Sequence, residues 1–577
     1  MSDRKIGVYI CHCGGNISDY VDVEKVKEAV QDEIGVEVVK TAMFTCSDAT
    51  QQEIIQDIQD QHLDGIVVAS CSPKLHLHTF RDVAERAGLN PYQYSQVNVR
   101  EQCSWTHTDD HEGATEKAIR LVRAGIARTN LTEPLEPIVI DTAPRVLVIG
   151  AGIAGLRAAI GLSDIGISVF LVEKSSAAGG WVAGFEQMYP HGKSGKRIIA
   201  RLVDEVRKRE NIVLYTGAEL VERSGCIGNF DVILRVGGPE QEDIRVNVGS
   251  IIVATGFDTY QPKEGEYGYG LDGVVTIAEF KELVDVPGES IVYKGKEVKD
   301  VVYIYCVGSR QDAGVENANR YCSRYCCNAT VHASIAVSSK NPKIHQFHLF
   351  RDVRTYGKFE LLYNESMRLG STYLKFDENE PPRVDEGKNG KLKVIVKDLL
   401  TYGEELEIQA DLVVLATGMV PKKNEKLVDT LKLPLGRDRF FNEIHPKLRP
   451  VETVVDGVYI CGTCQGPKNS SESVGSALSA VTQSASILKK GYVELEPLIA
   501  AVNPERCDGC RECVPTCPYA AIEMEEGQDR ALARINRAVC KGCGGCVPVC
   551  PRDAIDLKGY SDAQIKSMID GFLKEKF

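Results

Sequence analysis

The feature that most constrains how this chain folds is a cysteine spacing that occurs twice near its carboxyl terminus. The segments read CDGCRECVPTCP (507–518) and CKGCGGCVPVCP (540–551), and each follows C-x2-C-x2-C-x3-C-P. The short loops let three thiolates converge on one [4Fe–4S] cluster, while the fourth thiolate reaches the other cluster. The pattern predicts two clusters, one held by Cys507, Cys510, Cys513 and Cys550, the other by Cys517, Cys540, Cys543 and Cys546. Two zinc knuckles are the alternative, which the doubled spacing disfavours. Two clusters held in this way indicate an electron-transfer module.

Composition narrows the class of protein further. The chain holds 20 cysteines in 577 residues, and most are clustered along the sequence. Clustered cysteines in a reducing compartment indicate metal ligands rather than disulfides. The formal net charge of -13 argues against nucleic acid as a partner and against an anionic membrane. Because no apolar run is long enough to span a bilayer and the start MSDRKIGVYICHCGG does not fit a secretory signal, we expect a cytoplasmic protein.

A dinucleotide-binding fingerprint lies in segment 144–174, PRVLVIGAGIAGLRAAIGLSDIGISVFLVEK. Gly150, Gly152 and Gly155 form G-x-G-x-x-G between a predicted strand and a predicted helix. The first glycine permits the tight turn, the second lets the backbone approach a pyrophosphate, and the third lets the helix pack on the strand. Glu173 ends the next strand, where a carboxylate can accept hydrogen bonds from an adenosine ribose. Further predicted contacts are Ile153, Ala154, Lys174, Gly180 and Trp181.

Later segments favour FAD over NAD. SIIVATGFD (250–258) and DLVVLATGMVP (411–421) resemble the domain crossings of two-dinucleotide flavoproteins such as thioredoxin reductase. GVYICGTCQGPKNSSESVGSALSAV (457–481) resembles that family's second flavin contact, where a helix amino terminus faces the ring or the phosphates. These segments predict contacts at Ala254, Thr255, Gly256, Thr417, Gly418 and Gly462. Cys461 and Cys464 form a C-x-x-C, either a redox dithiol or, as we prefer, two buried cysteines.

The segment between the two Ala-Thr-Gly turns has a thiol where a nicotinamide-binding turn is expected. The apolar run DVVYIY (300–305) leads into CVGSRQ, in which Gly308 is the one remaining glycine. Without the other glycines the backbone cannot approach a pyrophosphate, so we expect no NAD(P)H at this turn. Four thiols instead predict a third [4Fe–4S] cluster, with zinc as the alternative; they are Cys306, Cys322, Cys326 and Cys327.

Residues 1–140 alternate apolar runs that end in cysteine with helical segments such as VEKVKEAVQDE (23–33) and QQEIIQDIQDQ (51–61). This alternation predicts a parallel sheet, whose strands present ligands at their carboxyl ends. Five thiols are candidates for a fourth cluster: Cys11, Cys13, Cys46, Cys71 and Cys103. Cys11 and Cys13 are alternatives, or one of the five is spare. Buried structural cysteines are the competing interpretation.

The sequence therefore predicts an α/β chain of several domains. A thioredoxin-reductase-like two-dinucleotide-binding flavoprotein core follows an α/β parallel-sheet domain and precedes a two-[4Fe–4S] ferredoxin domain. The predicted domains are 1–140, an FAD domain in two halves at 141–265 and 411–495, a degenerate NAD(P)-like domain at 266–410, and the ferredoxin at 496–577. The predicted cofactors are FAD and about four [4Fe–4S] clusters.

The combination of CHCGGNI, the flavin core, CVGSR…YCSRYCC, CGTCQGPK and a two-cluster ferredoxin resembles the A subunit of heterodisulfide reductase over essentially the whole chain. The resemblance implies an oxidoreductase of anaerobes whose flavin bifurcates electrons. It implies B and C subunits, which reduce a disulfide of the CoB-S-S-CoM type, a hydrogenase or formate dehydrogenase-type donor, ferredoxin as a second acceptor, and a dimer of the heteromeric complex. The segment FRDVRTYGKFELLY (350–363) resembles a family stretch that implies a lysine, here Lys358, near the isoalloxazine.

One departure from the family pattern bears on function. Some members carry an inserted two-cluster ferredoxin near the first Ala-Thr-Gly turn, but residues 257–300 here hold no cysteine. Electrons that pass through that insert elsewhere need another route in this chain. Two alternatives follow: a carrier that links sulfur metabolism to quinone without bifurcation, and an NAD(P)H-dependent flavin reductase.

Overall fold

The computed structural model describes residues 4–237, 241–527 and 530–574. The chain divides into two compact units, one formed by the residues up to Val139 with those from Glu494 onward, and the other by Ile140–Val493. These limits lie one or two residues from the predicted domain ends at 140 and 495; the finer division into five domains stays a prediction. No helix in the described part of the chain is long and apolar enough to cross a membrane.

The amino-terminal part of the first unit is a four-stranded parallel sheet. Its first and third strands along the chain are buried over their whole length, which is why they read as continuous apolar runs. In spatial order the strands are Val36–Ala42, Ile6–Cys11, Gly65–Ser70 and Tyr94–Asn98. The helices are Val23–Val30, Asp48–Gln61, Pro73–Arg86 and His111–Thr129, with short turns at Cys13–Gly15 and Arg100–Ser104.

The carboxyl-terminal module belongs to the same unit. Its strands pair as Ala500–Val502 with Ile555–Leu557 and Ile522–Glu526 with Ala531–Ile535, and its helices are Cys513–Thr516 and Asp562–Leu573. The last helix packs against helix His111–Thr129. The buried Arg128 donates two hydrogen bonds to Gly559 O, and Gln564 donates one to Leu131 O. The module is therefore fixed to the parallel-sheet domain of its own unit.

The second unit contains two five-stranded sheets. The first, in spatial order, is Val458–Ile460, Ser250–Val253, Arg145–Ile149, Ser168–Glu173 and Ile212–Thr216. The second is Val274–Thr276, Leu412–Thr417, Asp300–Val307, His345–Phe350 and Thr372–Lys375. All pairings inside these two sheets are parallel.

Each five-stranded sheet is accompanied by a three-stranded antiparallel sheet. The strands of these are Ala218–Cys226, Asn229–Val236 and Glu242–Val248 for the first, and Arg383–Glu386, Leu392–Asp398 and Glu404–Ala410 for the second. The main helices are Ile153–Asp164, Gly195–Arg207, Ile277–Asp285, Cys326–Lys340, Glu360–Arg368, Glu425–Leu431 and Ser470–Leu488.

The chain crosses between the two parallel sheets directly after both Ala-Thr-Gly turns. Phe257–Thr259 and Met419–Pro421 pair as antiparallel strands at the crossing. The first half of the flavin domain, an intervening domain and the second half thus follow one another, as in two-dinucleotide-binding flavoproteins. The predicted α/β class and architecture are confirmed.

The strand that carries Cys306 is longer than predicted and irregular. It runs from Asp300 to Val307, and its register with the neighbouring strand shifts between Ile304 and Val307. Cys306 lies in this shift with φ at +63°, in the left-handed region that non-glycine residues avoid. A bulge of this kind re-aims a side chain at the edge of a sheet, so the thiol leaves the strand direction.

The single glycine of the altered turn is required by its surroundings. Gly308 has φ at +69°, and a Cβ built there would lie 1.9 Å from the ring of Tyr260. Tyr260 is fixed in turn, because its amide donates to Gly418 O at 2.9 Å and its hydroxyl donates to Glu266 at 2.9 Å. An aromatic ring thus occupies the space in front of this turn.

We expect Gly308→Ala to destabilise the second unit by about 2 kcal/mol or more, because the methyl group overlaps a ring that cannot move freely. Gly265→Ala is the matched control, since Gly265 also has a positive φ but meets no atom within 4 Å. Thermal unfolding should show a clearly larger loss for the first variant. Equal losses would assign the cost to backbone strain alone.

Candidate flavin cleft and cysteine groups

A cleft of about 480 Å³ opens in the second unit at the carboxyl ends of the first parallel sheet. Its wall includes the glycine turn at Gly150 and Gly152, the first Ala-Thr-Gly turn at residues 254–256, and the amino-terminal end of helix Ser470–Leu488. Residues of the second parallel-sheet domain, such as Tyr325 and His332, complete the wall. A cleft of this size, lined by backbone turns and a few polar groups, suits a cofactor.

The glycine turn has the geometry that a pyrophosphate requires. A Cβ built at Gly152 would meet no atom within 4 Å, so the space in front of this residue is open. Gly180 approaches Gly152 from the other side, because a Cβ built at Gly180 would lie 3.4 Å from the Gly152 Cα. Gly155 does not line the cleft. It packs on the Gly150 carbonyl, and a Cβ built at Gly155 would lie only 1.8 Å from that oxygen. The helix amino terminus behind Gly152 favours an anion, so these residues fit a dinucleotide.

Glu173 lies where the adenosine end is expected. Its carboxylate accepts hydrogen bonds from the amides of Ala151, at 2.8 Å, and Ser175, at 2.9 Å. Lys174 beside it is exposed and also lines the cleft, as do Ile153 and Ala154. Trp181 connects this end to the Ala-Thr-Gly turn, because its indole donates to Phe257 O at 3.0 Å and stacks on the Phe257 ring.

Three predicted flavin contacts lie elsewhere in the second unit. Thr417 and Gly418 adjoin the altered turn, where the Gly418 amide donates to Val307 O at 2.9 Å and its Cα faces Ser323. Gly462 packs against Ala154 rather than facing the open cleft. The roles predicted for these residues therefore stay predictions.

Lys358 also lies apart from the cleft wall. It is exposed in the short turn Gly357–Phe359. The neighbouring rings of Tyr356 and Phe359 do connect this turn to Tyr189, which lines the cleft. The lysine inferred from the family stretch is thus exposed, and only its neighbours in the chain reach the cleft wall.

The four cysteines of the middle segment come together. Cys306 arrives from the bulged strand, Cys322 from a loop, and Cys326 and Cys327 from the first turn of helix Cys326–Lys340. The Cys326 thiol donates a hydrogen bond to Cys327, which raises the pKa of Cys326 and lowers that of Cys327. Burial, with Cys327 nearby, raises the pKa of Cys306, and Arg351 and Arg310 oppose this rise.

Buried polar atoms that have no hydrogen-bond partner among the described residues adjoin this group. They are Ser309 Oγ, Arg310 Nη1, both amide atoms of Asn328, and Thr417 Oγ1. Buried donors need acceptors, and the thiolates and sulfides of a [4Fe–4S] cluster can supply them. The surroundings therefore fit a polar, anionic group held by these cysteines.

The amino-terminal cysteines gather at the carboxyl edge of the four-stranded sheet, but not all five do so. Cys11 ends the first strand and Cys71 follows the third. Burial raises the pKa of the Cys46 thiol, and the nearby Cys11 and Cys13 raise it further. Burial likewise raises the pKa of Cys71 to about 11, with Cys13 among its neighbours.

Arg100 is the cation of this group. It donates to the Cys13 thiol at 3.5 Å and stacks over Trp105. Cys103, three residues further on, is fully buried and packs in the core of the domain. Burial raises the pKa of its thiol to about 11, and Lys117 partly opposes this rise. The structure thus brings together Cys11, Cys13, Cys46 and Cys71, and places Cys103 outside this group.

The carboxyl-terminal module contains two small cavities, each lined by four cysteines. Cys507, Cys510, Cys513 and Cys550 line one, and Cys517, Cys540, Cys543 and Cys546 line the other. The two are related by a repeated contact, in which the amides of Ala521 and Ala554 donate to Cys517 and Cys550, both at 3.3 Å. Within the described ranges, no three His, Cys, Asp or Glu side chains meet the geometry of a single-ion site.

Cys461 and Cys464 are both buried beside the cleft. The Cys464 thiol donates to Cys461 O at 3.1 Å and lies near the Val253 carbonyl at 3.3 Å. Both thiol pKa values are raised, with burial as the main cause. This placement favours our preferred interpretation of two buried cysteines.

Several charged residues of the cleft were not found by sequence reasoning. Lys281 and His332 line it, and burial lowers the pKa of both, that of His332 to about 4. Lys468 lines it as well. Only Lys468 had a signal in the sequence, because it directly precedes an Asn-x-x-Glu helix start at residues 469–472.

Comparison with known proteins gives the class of protein. The family model for FAD dependent oxidoreductases matches residues 145–232, and the model for the 4Fe-4S dicluster domain matches residues 506–554. Together with the cleft and the two cysteine-lined cavities, these matches define an oxidoreductase that carries FAD and [4Fe–4S] clusters. The thioredoxin reductase of T. acidophilum is a structural neighbour, at 20% identity and a TM-score of 0.41, covering 60% of this chain and 99% of its own.

The relatives define the particular family. An iron-sulfur A subunit of the CoB–CoM heterodisulfide reductase of Methanopyrus kandleri is 35% identical, covering 91% of this chain and 92% of its own length. The A subunit of the H(2):CoB-CoM heterodisulfide,ferredoxin reductase of Methanothermobacter thermautotrophicus is 36% identical with the same coverage. The corresponding protein of Methanocaldococcus jannaschii is 35% identical over 100% of this chain and 99% of its own. The chain belongs to the family of heterodisulfide reductase A subunits.

Gly152→Val should abolish FAD binding while the iron of the carboxyl-terminal module stays, because the side chain fills the space of the pyrophosphate. Gly184→Val is the matched control, since it also faces open space and has no positive φ. Anoxic flavin and iron analysis checks both variants. Stoichiometric FAD in the first variant would show that this turn does not hold the flavin.

We expect one FAD and about sixteen irons per chain if each of the four cysteine groups holds a [4Fe–4S] cluster. Cys46→Ser should remove about four of these irons, whereas Cys103→Ser should remove none. The measurement is anoxic metal analysis of both variants beside the wild type. Iron loss from Cys103→Ser with none from Cys46→Ser would reverse the assignment.

Proposed function

We propose that this chain is the flavin-containing electron-transfer component of a heterodisulfide reductase-type complex, and that electrons divide there between two acceptors. Electron pairs would come from a hydrogenase or formate dehydrogenase-type donor. One acceptor would be ferredoxin, and the other a disulfide of the CoB-S-S-CoM type, reached through the B and C subunits. The names of relatives support these partners, since they join hydrogen or formate to CoB-CoM heterodisulfide and ferredoxin.

The observation that carries the proposal is a wall shared by the cleft and the middle cysteine group. Tyr325 lies between Cys322 and Cys326 in the chain, and both Tyr325 and Ala329 line the cleft. The Tyr325 hydroxyl donates to Thr417 O at 2.9 Å, which fixes the ring in place. A cluster held by these cysteines would therefore lie one residue behind the flavin cleft.

Each cofactor would have its own residues. The turn at Gly150 and Gly152, with Gly180 and Glu173, would hold FAD, which exchanges electrons in pairs or singly. The thiolates of the four cysteine groups would hold the clusters, whose potentials depend on burial and on hydrogen bonds to sulfur. The chain itself orients these groups and keeps water from them; no side chain need form a covalent bond to substrate.

The structure weighs against direct reduction by NAD(P)H. The turn that would bind the second dinucleotide carries a bulge at Cys306, and Tyr260 fills the space in front of Gly308. A pyrophosphate needs open space at such a turn. Electrons are therefore expected to reach the flavin through a cluster rather than as hydride. A carrier that does not bifurcate remains the second candidate, favoured by the cysteine-free stretch 257–300.

Cys322→Ser should remove about four irons, keep FAD bound, and block electron transfer on the branch that uses this cluster. Cys226→Ser is the matched control, since Cys226 is a half-buried thiol of the same unit outside all cysteine groups. Metal content, flavin absorbance and transfer to ferredoxin and to the disulfide branch are measured without oxygen. Full iron, or unimpaired transfer on both branches, would defeat the assignment.

Mixing the purified chain with NADH or NADPH under anoxia separates the proposal from a self-contained flavin reductase. We expect no bleaching of the flavin absorbance within the time of a turnover, because the second dinucleotide turn is closed. Rapid bleaching by either nucleotide would favour the flavin reductase.

A further inference from the structure

Two arginines lie beside the middle cysteine group, and neither of them lines the flavin cleft. Arg310 ends the altered turn after strand Asp300–Val307, and Arg351 directly follows the neighbouring strand His345–Phe350. Both guanidinium groups are largely buried, since their side chains are 20% and 15% exposed. The turn at which a second dinucleotide would bind thus has two largely buried cations beside it.

The charges of these arginines act on the thiols. Burial raises the pKa of Cys306, and both Arg351 and Arg310 oppose that rise. Arg310 lowers the pKa of Cys327 as well, after the hydrogen bond from the neighbouring thiol. Burial alone would lower the pKa of Arg310, but Cys306 and Asp352 raise it. Arg310 and the thiols therefore stabilise each other's charged forms.

The carboxylates that pair with these arginines are more exposed than the arginines themselves. Arg310 pairs with Asp352 at 2.9 Å, and the Asp352 side chain is 47% exposed. Arg351 pairs with Glu378 at 2.9 Å, and the Glu378 side chain is 53% exposed. Water screens the charge of an exposed group more strongly than the charge of a buried one. The two pairs therefore leave a net positive potential on the side of the thiols.

Arg310 also has a donor that no described residue uses. Its Nη2 atom engages Asp352, whereas its Nη1 atom is buried without a hydrogen-bond partner among the described residues. The Oγ atom of Ser309, the preceding residue, is buried and unpartnered in the same way. A buried donor without an acceptor is costly, and the sulfur atoms of a cluster accept hydrogen bonds. Both the charge and the free donor of Arg310 fit an anionic cluster beside it.

Arg351 fixes the turn that carries Arg310. Its Nη2 atom donates to Ser309 O at 3.3 Å and to Arg310 O at 3.2 Å. Arg310 has φ at +56°, in the left-handed region that non-glycine residues avoid, so its backbone depends on contacts of this kind. Arg351 is therefore a positioning residue, which holds Arg310 against the cysteine group.

We infer that Arg310, in the position in which Arg351 holds it, raises the reduction potential of the [4Fe–4S] cluster that the middle cysteine group would hold. This inference rests on the proposed function, which assigns a cluster to these cysteines. A cluster that takes up one electron becomes more negative by one charge, and a buried cation beside it stabilises that reduced state. The middle cluster would then hold an electron from the flavin more tightly than its four thiolates alone allow.

The midpoint potential of this one cluster is the quantity to measure. The full-length chain with its cofactors is titrated without oxygen at fixed pH and ionic strength, and the EPR signal of the reduced clusters is recorded against potential. The signal that is present in the wild type and absent from Cys322→Ser belongs to the middle cluster. Its midpoint potential reports the charge around the cluster without any turnover.

Arg310→Gln should lower the equilibrium constant for reduction at least about tenfold, which is about 59 mV for one electron. Arg310→Lys should restore most of the potential, and Arg351→Gln should lower it because the turn is no longer held. Asp352→Asn should raise it, since it removes the counter-charge. Arg235→Gln is the matched control, because Arg235 pairs with Asp243 at 2.9 Å but lies outside all cysteine groups; its effect should be less than about twofold.

An unchanged midpoint potential in Arg310→Gln, or an equal shift in Arg235→Gln, would overturn the inference. An unchanged potential in Arg351→Gln would overturn the positioning role of Arg351. If Arg310→Gln loses the iron of the middle cluster, Asp352→Asn decides: a higher potential supports the inference, and the absence of a rise overturns it.

Failure of the inference and failure of the proposed function give different results. If Cys322→Ser removes no signal and no iron, the cluster assignment fails and the inference fails with it. A normal signal whose potential does not depend on Arg310 overturns the inference alone. If the potentials shift as expected while the wild type transfers no electrons to ferredoxin or to the disulfide branch, the proposed function fails and the role of Arg310 stands.

Discussion

The carboxyl edge of a parallel sheet is the constraint on which the candidate sites at all three parallel sheets depend. Side chains that end parallel strands meet at one edge, and the backbone turns there face outward. The four-stranded sheet brings Cys11 and Cys71 to such an edge, the first five-stranded sheet places the turn at Gly150 there, and the second places Cys306 there. One geometric rule thus positions thiols in two cases and a dinucleotide turn in the third.

A few features that depend on one another close the turn at which a second dinucleotide would bind. A bulge turns Cys306 away from its strand, and Tyr260 occupies the space above Gly308. The second Ala-Thr-Gly turn then packs against this region rather than on a ligand, since the Gly418 amide donates to Val307 O. The same packing holds Tyr325 in the cleft wall. The segment that carries the middle cysteine group therefore lies next to the flavin cleft.

Local sequence predicted which residues lie together, because most of these groups depend on short spacings. The glycine turn and the doubled cysteine motif each follow from a few neighbouring residues, whereas Cys306 joins residues 322–327 because it lies at the end of a strand. The position of Cys103 could not be predicted from the sequence. Cys103 lies in the short turn Arg100–Ser104, and the packing of that turn directs its side chain into the core, away from Cys71 and Cys13. The same holds for Lys358 and Lys468, whose exposure and burial arise from packing between distant segments.

The two cavities of the carboxyl-terminal module each take three cysteines from one motif and the fourth from the other. Neither motif encloses a cavity by itself, so each half of the module completes the cavity of the other half. A truncation or a frameshift between residues 518 and 540 would remove cysteines from both cavities at once. The two motifs therefore form one unit of inheritance: a change that removes either of them alters both cavities.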